Sequence, residues 1–125
     1  MLRISKLTDY GTMILVHLAV HQGRLNSASD VATGTRLALP TVQKLLKLLA
    51  RSDLVRSVRG AEGGYVLART PATISAADFL DVLEGPLSIT ECSTSESRCE
   101  LEDGCPVGGA WQKINRGIRG ALGEI

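Results

Sequence analysis

The sequence predicts a mainly α-helical fold with one small β-hairpin, arranged as a winged helix-turn-helix followed by a long C-terminal dimerisation helix. Three observations carry this. Val42, Leu45, Leu46 and Leu49 recur at i, i+3, i+4 and i+7, with Lys44, Lys47 and Arg51 on the other side; that is a helix with one buried stripe and one basic face. Two short β-prone runs, residues 54–59 and 65–67, flank a glycine-rich turn at 60–64 and read as a hairpin. Val107, Trp111, Ile114, Ile118, Leu122 and Ile125 are spaced 4, 3, 4, 4 and 3 residues apart, close to a coiled-coil seam.

Taken in order, the first helix is expected from residue 8 to about residue 21, capped by Thr8 with Asp9 in its first turn, where the helix dipole favours a carboxylate. Apolar residues surround nearly every side of it, so burial on more than one face is expected. Ser27 followed by Asp30 resembles a capping box opening a short second helix, with Gly34 as its stop. Pro40 suits the first position of the third, basic helix, because its missing N–H would be unpaired there anyway. A fourth helix follows over about 75–84, with Ala76, Phe79, Leu80 and Leu83 on one side and Gly85 and Pro86 ending it. Residues 86–106 are polar, acidic and aperiodic, a loop. In the last helix Gly117, Gly120 and Gly123 each cost about 1 kcal/mol relative to Ala. Such a helix needs a packing partner, and a second copy of the chain is the natural one.

These pieces suggest three regions: residues 1–85 as the winged helix-turn-helix, 86–106 as a cysteine-bearing loop and 107–125 as the dimerisation helix. The whole is 125 residues, 44% hydrophobic and 22% charged, with a mean hydropathy of +0.11, enough for one ordinary core. The longest apolar stretch, residues 13–20, is broken by His17, and a bilayer span needs about 20 residues. The residues around it do not form a secretory leader. A cytoplasmic protein without membrane contact is expected.

A formal net charge of +1 names no partner, but the charge is segregated. Residues 36–69 hold seven basic and two acidic side chains, whereas 78–105 hold eight acidic ones and only Arg98. Such a field suits placing one face on a polyanion. A helix about 10–12 Å across fits the major groove of double-stranded DNA. Thr41, Gln43, Lys44 and Lys47 would face the groove, with Gln43 able to pair bidentately with adenine. Lys44, Lys47 and Arg51 would meet phosphates, and Arg59 at the hairpin tip would enter the adjacent minor groove. With so few aromatics, stacking on single strands or RNA is disfavoured. The glycines at 60, 63 and 64 match no phosphate loop, and no catalytic arrangement stands out, so an enzyme is not expected.

Cys92, Cys99 and Cys105 are the only cysteines and are spaced C-x6-C-x5-C. An odd number on one loop argues against a disulfide framework, and the spacing is not that of a zinc ribbon or a ferredoxin. Three thiols can converge on zinc, copper(I) or an iron-sulfur cluster; reactive redox thiols are the alternative. His17 and His21, four apart on the first helix, are further candidate ligands.

The opening Arg3, Ile4, Ser5, Lys6, Leu7, Thr8, Asp9 and Tyr10, the hairpin Val58, Arg59, Gly60, Ala61, Glu62, Gly63, Gly64 and Tyr65, and the three cysteines followed by Trp111 resemble the bacterial iron-sulfur-dependent winged-helix regulators, the IscR/NsrR-like family, over essentially the whole chain. The opening is most similar to the branch that regulates Suf cluster assembly. The resemblance implies a homodimeric transcription factor, a repressor type, whose operator affinity follows the state of an iron-sulfur cluster and so reports cluster supply, oxygen or nitric oxide. Cys92, Cys99 and Cys105 become cluster ligands, and Arg59 with the helix from Pro40 becomes the DNA-reading element. IscR-like members carry a histidine three residues after the last cysteine, and Gly108 stands there instead. NsrR-like members use an aspartate near the N-terminus, which Asp9 matches. The cluster type, 2Fe-2S or 4Fe-4S, stays open at this point. The other readings are a thiol-redox or zinc-responsive DNA-binding repressor without a cluster, and a winged-helix protein-interaction module.

Overall fold

A computed structural model describes residues 2–96 and 99–125. Five α-helices are formed: α1 Lys6–Val20, α2 Ala28–Thr35, α3 Leu39–Arg51, α4 Ala76–Leu83 and α5 Gly108–Gly123; strands β1 Val55–Val58 and β2 Gly64–Leu67 lie between α3 and α4. The chain divides into two compact units, Met1–Ile74 and Ser75–Ile125, so α4 groups with the C-terminal part rather than with residues 1–74.

In the first unit the core is built by Ile14, Leu15 and Leu18 of α1, Val31 of α2, the α3 stripe Val42, Leu45, Leu46 and Leu49, and Leu54, Val55 and Leu67 around the hairpin. Each fully buried aliphatic side chain contributes about 1.5–3 kcal/mol relative to exposure. α3 depends on this burial, since its cap position, Ala38, offers no side-chain hydrogen bond and Pro40 occupies its first turn. Asp53, in the left-handed conformation (φ 64°), turns the chain from α3 into β1.

Several local expectations are revised. The cap of α1 is Ser5, whose hydroxyl accepts the Thr8 N–H at 3.2 Å. Thr8 lies inside the helix and is buried, because a cap three residues earlier satisfies its amide. α1 buries one face only; Met13, Val16 and Val20 are exposed. The capping box of Ser27 and Asp30 is present, but Gly34 lies within α2, and Arg36 takes the left-handed position (φ 61°) that closes the helix. Gly34 is needed for close approach, since a Cβ there would overlap the His17 ring of α1.

β1 and β2 pair antiparallel, with Val55 opposite Leu67 and Val58 opposite Gly64. A third segment joins them. Asn26 donates its N–H to the Tyr65 carbonyl at 3.0 Å, and Tyr65 donates back to the Asn26 carbonyl at 2.7 Å. A Cβ at position 64 would stand 2.7 Å from that same Asn26 oxygen, so glycine allows the closure.

In the second unit α4 opens with a capping box, Ser75 with Asp78, which the sequence reading missed. The segment before α5 is not wholly irregular, for Glu91–Ser93 forms a 3-10 turn. Of the α5 seam, Val107, Trp111 and Ile114 remain exposed while Ile118 and Leu122 are half-buried. No helix among the described residues is long and apolar enough to cross a membrane.

The α1–α2 contact carries a titratable group. The His17 and His21 rings stack at 4.2 Å, and the His17 Nε2 is buried without a hydrogen-bond partner. Burial, then His21 and Arg24, hold the His17 pKa below its ordinary value against the opposing pull of Asp30. The unfolded chain therefore takes up this proton first as pH falls, and stability is lost from about pH 6.5 downward. The melting temperature is expected to drop further between pH 7 and pH 5.5 in the natural protein than in His17→Gln; parallel pH profiles would show that His17 is not the group responsible.

Candidate functional site

Two surfaces hold the residues singled out by the sequence. The first is the outer side of α3. Helical residues advance about 100° each, which brings Pro40, Gln43, Lys44, Lys47 and Arg51 onto one arc opposite the buried stripe. Gln43, Lys44, Lys47 and Arg51 are exposed, whereas Thr41 is half-buried at the margin of the arc. Arg59 is exposed immediately after β1, at the start of the hairpin turn. None of Gln43, Lys44, Lys47, Arg51 or Arg59 has an ion-pair or hydrogen-bond partner for its side chain among the described residues. The arc thus presents unneutralised cations and one amide, both donor and acceptor, with no partner among the described residues, and the hairpin adds an unpaired arginine. Such a surface fits phosphates and base edges.

The second surface is the cysteine segment, and α5 positions it. Asn115, buried in α5, accepts the Ile89 N–H at 3.0 Å and donates to the Leu87 carbonyl at 3.1 Å. One turn earlier, Gln112 donates to the Cys92 carbonyl at 3.0 Å. Further along, Arg119 makes a two-pronged pair with Asp81 of α4, both bonds 2.6 Å, which raises the Arg119 pKa above its ordinary value. These three residues form a polar stripe at i, i+3 and i+7, one residue round from the apolar seam. The sequence reading followed the seam and passed over the stripe; its spacing was visible, but nothing in it distinguishes buried amides from solvated ones.

Cys92, Cys99 and Cys105 are unpaired and half-buried. Cys92 lies in the 3-10 turn, with its sulfur 3.3 Å from the Thr90 hydroxyl. Cys99 and Cys105 bracket a turn in which Glu102 N–H donates to the Cys99 carbonyl and Cys105 N–H to the Glu102 carbonyl, each 3.3 Å. Gly108 adjoins Cys105, since a Cβ there would lie 3.8 Å from its sulfur. A side chain at that position would thus reach the thiol, and this chain has none. Asp9 is exposed in the first turn of α1. His21 Nδ1 is 2.8 Å from the His17 carbonyl oxygen, which engages that ring within α1. The donors are of the kind that holds soft metals, yet among the described residues no three His, Cys, Asp or Glu side chains gather as a ligand set. Within the second unit Cys92, Cys99 and Cys105 are thus three separate thiols along one segment in this conformation.

A family model described as "Rrf2: Iron-dependent Transcriptional regulator" matches residues 4–125. The chain belongs to the Rrf2 family. Rrf2 regulators are DNA-binding and not enzymes, and this member is 36% identical over 122 residues to the HTH-type transcriptional regulator CymR of Bacillus subtilis, covering 97% of this chain and 83% of CymR. The solved structure of that CymR, described as the global cysteine regulator of B. subtilis, superposes with a TM-score of 0.75 at 32% identity, over 99% of this chain and 92% of that one. IscR of T. potens gives a TM-score of 0.71, also at 32% identity, over 99% and 82%. The winged-helix architecture with a long C-terminal helix is thereby shared with Rrf2 regulators of known structure.

Because Asn115 satisfies two backbone groups of the segment before the cysteines, Asn115→Leu leaves an amide and a carbonyl without partners. Its expected cost is about 1–3 kcal/mol, read as a lower urea midpoint at unchanged slope. An unaltered midpoint would mean that the segment is held by other contacts.

Proposed function

We propose that this Rrf2 regulator acts in the cytoplasm as a homodimer on a double-stranded operator. Gln43 reads a base, Lys44, Lys47 and Arg51 meet phosphates, Thr41 flanks them, and Arg59 enters the minor groove. The exposed Trp111 and Ile114 of α5, with their seam neighbours, are the surface that a second copy covers. The observation that carries the sensing half is the set of three unpaired thiols within fourteen residues, on a segment hydrogen-bonded to α5 at two places. On this reading Cys92, Cys99 and Cys105 hold an iron-sulfur cluster, of the 2Fe-2S or 4Fe-4S type, with Asp9 of the partner subunit as the fourth donor, and the regulated genes include those for cluster assembly, as in the Suf branch. When bound, such a group supplies redox and ligand-loss chemistry that responds to cluster supply, oxygen or nitric oxide. The chain's own part is mechanical: the thiols draw residues 92–105 into one conformation, and Asn115 and Gln112 transmit it to the helix that spaces the two reading faces. Half-sites lie about 34–36 Å apart, so small rotations change affinity.

A second reading, a thiol- or zinc-responsive repressor without a cluster, is supported by the likeness to a protein described as a cysteine regulator.

Two experiments test these readings. Lys47→Ala should weaken binding almost uniformly across DNA sequences and lower the salt slope by about one unit, while Gln43→Ala should relax preference at one base pair at a cost of about 1–3 kcal/mol on the best site; an unchanged slope, or equal losses on specific and random DNA, removes the corresponding residue from the interface. For the sensor, protein purified without oxygen is expected to show visible charge-transfer bands and iron and sulfide in equal amounts, with the bands lost in Cys99→Ala. Colourless protein, even after anaerobic reconstitution with iron and sulfide, would rule out the cluster and leave the thiol or zinc reading.

A further inference from the structure

One amide group on α5 touches both halves of the cysteine segment. The Gln112 Nε2 lies 3.0 Å from the Cys92 carbonyl oxygen and 3.4 Å from a carboxylate oxygen of Glu102. Both neighbours are pure acceptors, so the amide orientation is fixed: one N–H points to each. Cys92 belongs to the 3-10 turn Glu91–Ser93. Glu102 is the middle of the turn whose ends are Cys99 and Cys105, bonded to each through its backbone.

We infer that Gln112 is the positioning residue of the sensor, a clamp that sets the separation of Cys92 from the Cys99–Cys105 turn and ties both to α5. The inference rests on the cysteines being the sensing groups, as proposed above. Its chemistry requires only two donors at the end of a side chain of this length. Whatever draws the three sulfurs together then finds Cys92 and the Cys99–Cys105 turn already tied to one point on the helix. Ligand-supporting groups of this kind commonly change metal affinity 10- to 100-fold when removed.

The test compares the full-length chain with Gln112→Met, which keeps the length but has no donor, and Gln112→Lys, which keeps donors for both acceptors. Two readouts are taken on protein whose far-ultraviolet circular dichroism and melting match the natural chain. Co2+ is titrated anaerobically and followed by its thiolate charge-transfer absorption, and maleimide alkylation of Cys92 is timed by peptide mass spectrometry without metal. In Gln112→Met the Co2+ affinity should fall about 10-fold or more and Cys92 should alkylate about 3- to 10-fold faster, the worth of one hydrogen bond; Gln112→Lys should restore most of both. Unchanged alkylation in Gln112→Met, or a Gln112→Lys variant indistinguishable from Gln112→Met, overturns the clamp. If the natural chain shows no sulfur-bound Co2+, the metal-sensing reading of the thiols fails, and the alkylation rates still decide whether Gln112 positions them.

Discussion

One-sided burial of α3 is the constraint on which the first unit depends. Val42, Leu45, Leu46 and Leu49 are each at most 1% exposed, and turning the helix by one residue, about 100°, would bring several of them into water and lysines into the core. At about 1.5–3 kcal/mol for each aliphatic side chain, before any charge is buried, such a rotation would consume most of the 5–15 kcal/mol by which domains are ordinarily stable. The outward aim of Gln43, Lys44, Lys47 and Arg51 is therefore a consequence of the core. The proposed recognition surface needs no contacts of its own to hold it.

The second unit is held on different terms. Among the described residues its buried apolar side chains are Ala76 and Ala77, both small, and much of its order comes from hydrogen bonds: the α4 capping box, the Asp81–Arg119 pair and the Asn115 and Gln112 amides. Such bonds, several of them open to water, make a unit that is well defined yet easy to rearrange. Switching elements are drawn from this low-stability end of a fold. The division of labour between a reading unit fixed by apolar burial and a cysteine-bearing unit fixed by polar contacts follows from composition, since the long aliphatic side chains are concentrated in the first unit.

What was legible in the sequence was whatever is decided locally. The α3 stripe, the Ser27 capping box, the glycine turn of the hairpin and the α5 seam each declare themselves within a dozen residues, and together they were enough for the fold. Where two neighbouring residues could do the same job, as Ser5 and Thr8 could for the cap of α1, the pattern did not choose between them. Gly34 looked like a helix stop because its actual role, making room for the His17 ring, depends on a residue seventeen positions away. The cysteines were legible as a triplet of donors, but the bonds that Gln112 and Asn115 make to the segment around them were not, because in sequence these look like ordinary polar residues on an exposed helix.

The junction of Asn26 with Tyr65, closed over the bare backbone of Gly64, has an effect beyond the packing of the hairpin. It ties the wing to the turn that leads into α2 by two backbone hydrogen bonds, which stiffens the strands against the helices of the first unit. On the proposed DNA-binding reading, a wing braced in this way adapts its curvature less readily to an imperfect target, so more of the adapting falls to the duplex. Energy spent in bending or narrowing the duplex depends on its base steps, and operator preference should then extend to base pairs that no side chain of the protein reaches.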